Sequence, residues 1–107
     1  MSEHPIDRLF ETIAARRGAS ARKSYTAKLI KAGIAQCAKK LGEEGVEAAL
    51  AAVGGNKKEI VSESADVLYH LLVLWTVTGI KPKSVYDALE KRRSRSGIAE
   101  KRGRKRK

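Results

Sequence analysis

Apolar residues return every three or four positions along most of this chain, and nowhere do they alternate with a period of two over a useful length. Ile6, Leu9, Phe10 and Ile13 form one stripe behind Pro5, a residue suited to a first helical turn. Gly18 to Ser20 read as a break. A short helix is expected over residues 25–31, with Ser24 as its N-cap and Gly33 as an interruption. Ile34, Cys37, Ala38, Leu41, Ala48, Leu50 and Val53 then mark the apolar side of a long helix over 34–53, ended by Gly54 and Gly55. Asn56, with Glu59 three positions on, has the form of a capping box and predicts a helix over 57–78. Gly79 stops that helix, and Pro82 opens a last one carrying Val85 and Leu89. The expected fold is all-α, a bundle of about four to five helices.

Leu71, Leu72, Val73, Leu74 and Trp75 occupy successive directions around the 57–78 helix. A helix that is apolar all round is buried on every side. So few other helices are available that a second subunit is expected to cover it, completing the bundle by dimerisation.

Composition supports helices and narrows the class. The chain has 107 residues and 11.7 kDa, the size of one domain. It contains two prolines and five aromatic residues (one Phe, one Trp, three Tyr), whereas alanine and leucine, both strong helix formers, are abundant. The single cysteine, Cys37, excludes an intrachain disulfide and follows helical apolar spacing, so it is expected in the core. The opening "MSEHPIDRLF" lacks the basic start and apolar stretch of a signal peptide. The run "VLYHLLVLWTV" is shorter than the ~20 residues that span a bilayer. A soluble, cytoplasmic protein with no membrane partner is the simplest expectation.

Charge changes the picture once it is divided. The formal net charge is +11. Residues 1–90 hold 13 basic and 11 acidic side chains, a net of +2, and residues 91–107 hold 10 and one, a net of +9. A nearly neutral body therefore precedes a basic end suited to polyanions, nucleic acid included.

Within the body, "KKLGEEGVEAALAAVGG" places Glu43, Glu44 and Glu47 within one 100° arc of a helix. In "EIVSESADVLYHLLVLW", Glu63 and Asp66 are i,i+3 neighbours, with Glu59 and His70 near the same line. No lysine or arginine occurs from Glu59 to Ile80. The short "GGNKK" link forces the two helices to run antiparallel, which brings Glu44 and Glu47 opposite Glu63 and Asp66. Like charges cost a few tenths of a kcal/mol per pair on an exposed helix and more between packed helices. A divalent cation removes that cost, and oxygen ligands at this density suit Mg²⁺ or Mn²⁺. The competing structural reading is a solvated acidic face, with Lys39 and Lys40 pairing with Glu43 and Glu44. His70 fits an interface residue as well as a participant in chemistry.

The E-E-x-x-E pattern at Glu43, Glu44 and Glu47, followed by E-x-x-D at Glu63 and Asp66, resembles the metal signature of the all-α nucleoside-triphosphate pyrophosphohydrolases. "SYTAKL", "KKLGEEGVEAALAA", "ESADVLYHLLVL" and "RRSRSGIAEK" further resemble the phosphoribosyl-ATP pyrophosphohydrolases of histidine biosynthesis. The likeness runs from about Leu9 to Lys101. It divides the chain into one helical domain over 1–101 and a basic tail over 102–107. It implies Mg²⁺-assisted hydrolysis of phosphoribosyl-ATP to phosphoribosyl-AMP and pyrophosphate by a helical homodimer. Glu44, Glu47, Glu63 and Asp66 become the metal ligands, and Glu43 a further ligand or the base that orients water. Lys40, Tyr69, His70 and Arg93 become substrate contacts.

Such chemistry needs charge management and no nucleophilic side chain. Three other readings remain open: a house-cleaning pyrophosphohydrolase of the same fold acting on ordinary nucleotides, a basic helical nucleic-acid-binding module, and a helical dimerisation protein with solvated acids.

Overall fold

The computed structural model describes residues 4–94 of the chain. The "SGIAEK" segment and the basic tail lie outside the described residues, as does the boundary drawn at residue 101. Five helices follow one another, α1 (Pro5–Ala15), α2 (Tyr25–Ala32), α3 (Ile34–Gly54), α4 (Lys57–Thr78) and α5 (Pro82–Arg93), with a 3₁₀ turn over Arg16–Gly18. The described residues contain no strand.

The expected helix starts are made by the expected caps. Ser24 Oγ accepts the N–H of Ala27 at 3.1 Å, and Asn56 Oδ1 accepts that of Glu59 at 3.2 Å. Upstream, Pro5 begins α1, while His4 Nδ1 accepts the N–H of Ile6. Gly55 ends α3 in the left-handed region at φ 80°, where a side chain would be strained, and the chain reverses directly into α4. The resulting α3–α4 hairpin is the most extensive helix pair in the described chain.

The core sits at one end of this hairpin. Ile13 of α1, Leu29 of α2, Cys37 of α3 and Leu72 and Val73 of α4 are buried together. Ile6, Leu9, Phe10, Ile30, Leu74 and Trp75 pack around them. Burying one such side chain contributes about 1.5–3 kcal/mol. Cys37 is the expected core residue: its Sγ donates to the Leu29 carbonyl, and burial pushes the thiol pKa up. Arg17 donates to the Thr76 carbonyl at 3.1 Å and places a cation near the end of α4.

Part of the apolar second half of α4 is covered within the chain: α1 and α2 help bury Leu72 and Val73, each 1% exposed, while Leu71, Leu74 and Trp75 stay half-buried. Exposed apolar side chains lie at Ile34 and Ile80 near that end, and at Val46, Leu50 and Val53 of α3 and Val61 and Leu68 of α4. By length and composition α4 is also able to cross a membrane. Its packing against α1 and α2 and its acidic first half fit a core helix of this bundle.

Candidate active site

The carboxylates converge at the polar stretch of the α3–α4 hairpin. Each of Glu44, Glu63 and Asp66 offers an oxygen, and all three oxygens lie within 4.8 Å of one another. Glu44 and Glu63 are half-buried, and Asp66 is exposed. Helix geometry explains why Glu44 and not Glu43 faces α4: consecutive residues diverge by 100°. Glu43 instead pairs with Lys40, one turn back, at 3.4 Å. Glu47 falls outside the tight triplet but stays near enough to act on Glu63 electrostatically.

Electrostatics match this placement. Partial burial raises the Glu63 pKa above the ordinary carboxylate value, and the charges of Asp66, Glu47, Glu44 and Glu59 add to the rise. Among the described residues, Glu44, Glu47, Glu63 and Asp66 form no ion pair with a lysine or arginine. Among the described residues neither i,i+4 pair, Lys39 with Glu43 or Lys40 with Glu44, forms; Glu43 is met instead by Lys40 at i,i+3.

The donor set fits a hard divalent ion. Octahedral Mg²⁺ binds oxygen at about 2.1 Å, so neighbouring ligand oxygens lie about 3 Å apart and opposed ones about 4.2 Å. Modest side-chain rotation brings three oxygens within 4.8 Å of one another into that range. No buried thiol or imidazole competes for a softer metal within the triplet.

An aromatic cluster adjoins the acids. Tyr69 and His70 pack edge to face with ring centroids 5.0 Å apart, and Tyr25 of α2 lies 6.5 Å from Tyr69 and 6.3 Å from His70. Thr26 shares a hydrogen bond with the Tyr69 hydroxyl, which ties α2 to α4. His70 is buried, and desolvation lowers its pKa, against the opposing pull of Glu44 and Asp66. Lys40 and His70 thus lie near enough to Glu44 to feel its charge, and Tyr69 packs against His70. Arg93 is placed differently: it donates to Glu90 at 3.1 Å on α5, a helix that packs against α1. Tyr25 was not singled out from sequence, since a tyrosine behind an N-cap carries no chemical signature until its ring neighbours are known.

The model describing phosphoribosyl-ATP pyrophosphohydrolases matches residues 6–93. The chain belongs to that family. The phosphoribosyl-ATP pyrophosphatase of Parvibaculum lavamentivorans is 57% identical over 96 residues, covering 90% of this chain and 88% of its own length. That of Azospirillum brasilense is 52% identical over 100 residues, covering 94% and 90%. The Paracoccus denitrificans protein of the same name is 49% identical over 104 residues, covering 95% and 96%. The family resemblance and the all-α fold read from the sequence are therefore borne out. The matched span includes every described element that carries the cluster.

Proposed function

We propose that this chain hydrolyses phosphoribosyl-ATP to phosphoribosyl-AMP and pyrophosphate, the second step of histidine biosynthesis, in the cytoplasm. The observation that carries the proposal is the unpaired carboxylate triplet of Glu44, Glu63 and Asp66 in a chain of this family. Glu44, Glu47, Glu63 and Asp66 would hold Mg²⁺, with Mn²⁺ as a substitute. Held by these residues, the ion would supply Lewis-acid stabilisation of the triphosphate and of the leaving pyrophosphate. Glu43, steadied by Lys40, orients the water and takes its proton. Water adds across one phosphoric anhydride, so one P–O bond forms and one breaks. Lys40 offsets phosphate charge, and Tyr69 and His70 wall the site. Arg93 is kept as a substrate contact on the resemblance alone, because its guanidinium here pairs with Glu90.

The apolar stripe of the hairpin supports a homodimer. Val46, Leu50 and Val53 follow i, i+4, i+7 spacing, and Val53 is 87% and Val61 70% exposed. A second copy would cover this face. Sedimentation of the purified protein tests it, and a well-behaved monomer at micromolar concentration contradicts it.

Pyrophosphate release from a panel of nucleotides in Mg²⁺ tests the activity. Phosphoribosyl-ATP should be preferred over ATP and the deoxynucleotides. Equal rates on all of them would favour the house-cleaning reading, and no hydrolysis of any would leave a binding module.

A further inference from the structure

Beside the carboxylate cluster lies a groove of about 340 Å³, lined by Tyr25, Lys28, Leu29, Ala32, Gln36 and Lys40. Its size falls in the range of small-molecule sites, about 300–1,000 Å³. Gly33 builds it. At φ 96° this glycine turns the chain so that α3 packs back along α2, as the Cys37–Leu29 hydrogen bond shows. The groove starts at Lys40, which pairs with Glu43 and shares the groove's lining with Tyr25. Lys28 sits one turn further along α2 from Tyr25, and Ala32 and Gln36 flank the turn at the far end. Tyr25 is 53% exposed, so one face of its ring is open although Tyr69 and His70 pack on the other side. Among the described residues Lys28 forms no ion pair. Leading away from the acids, the groove therefore offers a cation, an aromatic face and a second cation.

That order matches one substrate feature not used above. Phosphoribosyl-ATP carries phosphate at two separate places, the triphosphate and the phosphate of the added ribosyl group, with the purine between them. We infer that the groove reads this second phosphate: the purine lies on the open face of Tyr25, and Lys28 takes the phosphoribosyl phosphate. Lys28 is then the residue that distinguishes phosphoribosyl nucleotides from ordinary adenine nucleotides. The inference rests on the proposed substrate, but binding tests it without catalysis. Lys28 and Tyr25 are both exposed, so alanine at either leaves no cavity in the core.

The experiment is calorimetric titration of the full chain with phosphoribosyl-AMP and with AMP. The first keeps the second phosphate, and the second lacks it. Wild type should bind phosphoribosyl-AMP about tenfold more tightly than AMP, the scale of one charge-assisted contact. Lys28→Ala should bring the two affinities within about twofold, and Lys28→Arg should restore the preference. Tyr25→Ala should weaken both ligands by about tenfold and keep their ratio, as loss of a stacking platform does. Lys31→Ala removes the same unit of charge outside the groove and should change nothing. Absence of any preference in wild type overturns the assignment, as does a preference that survives Lys28→Ala. If wild type shows the preference but releases no pyrophosphate from phosphoribosyl-ATP, the proposed activity fails and the groove assignment stands.

Discussion

The two halves of α4 do opposite work on one helix. In the second half, Leu72, Val73 and Thr76 are buried against α1 and α2. In the first half, Glu59, Glu63 and Asp66 stand on the carboxylate side, and nothing basic in the helix beyond Lys57 and Lys58 offsets them. One half stabilises the bundle. The other stores repulsion that folding alone would not select. A cluster of acids unpaired with lysine or arginine, on the most extensive helix pair among the described residues, is the arrangement that a bound cation would relieve. The rigid half fixes the geometry of the repulsive half, which is what a preorganised ion site requires.

Breaking the dry half should give the largest effect. Leu72→Asp buries an unpaired charge beside Ile13 and Val73, a change that costs about 3–5 kcal/mol. Against the roughly 5–15 kcal/mol of a small domain, that is a large fraction of the stability. Chemical denaturation should show the loss, and it should persist when the chain is held monomeric, because the partner of Leu72 is its own α1.

Next comes the repulsive half, where stability and activity should part. Asp66→Asn should lower turnover roughly 10²-fold, the scale of removing one well-placed group from such a site. Its unfolding midpoint without metal should stay level or rise, since one like charge has gone. A fall in stability with turnover intact would invert the division drawn here.

A smaller effect is expected on the outer face. Leu50→Lys adds a charge to the exposed stripe of α3 while leaving the core alone. Sedimentation should shift towards monomer with the helical content unchanged.

The smallest effect concerns His70, at the join of the two halves. Its folded-state pKa is lowered, first by burial. The unfolded chain then binds the proton more readily, so this contribution to stability is present above the ordinary value of about 6.5 and is lost as pH falls below it through the lowered folded value. Thermal unfolding between about pH 5 and 8 should show that decline, and His70→Gln should flatten it.

Much of this was legible in the sequence. Ser24, Pro5 and Asn56 announced their helices because capping is local chemistry, and the glycine-rich link fixed the hairpin that juxtaposes Glu44 with Glu63 and Asp66. How much of α4 its own chain covers was not legible, because whether α1 lies along the end of α4 depends on how the chain turns between Arg16 and Ser24, which periodicity does not encode. Nor did periodicity mark Val46, Leu50, Val53 and Val61 as exposed apolar surface. Helical spacing alone puts Glu43 and Glu44 within one arc, and the presence of α4 separates them into a Lys40 partner and a cluster member. Tyr25 and Lys28 stayed silent for the same reason, since their groove exists only after Gly33 folds α3 back on α2.

Titration of Mn²⁺, followed by its paramagnetic signal, tests the central claim most directly. Wild type should take up the ion, and Glu44→Gln, Glu63→Gln and Asp66→Asn should each weaken that uptake by about tenfold or more, the loss expected of one charged ligand. Glu43→Gln should bind Mn²⁺ as wild type does, because its carboxylate is held by Lys40. If Glu44→Gln and Asp66→Asn both bound Mn²⁺ as tightly as wild type, the carboxylates of α3 and α4 would be a solvated face and no metal site.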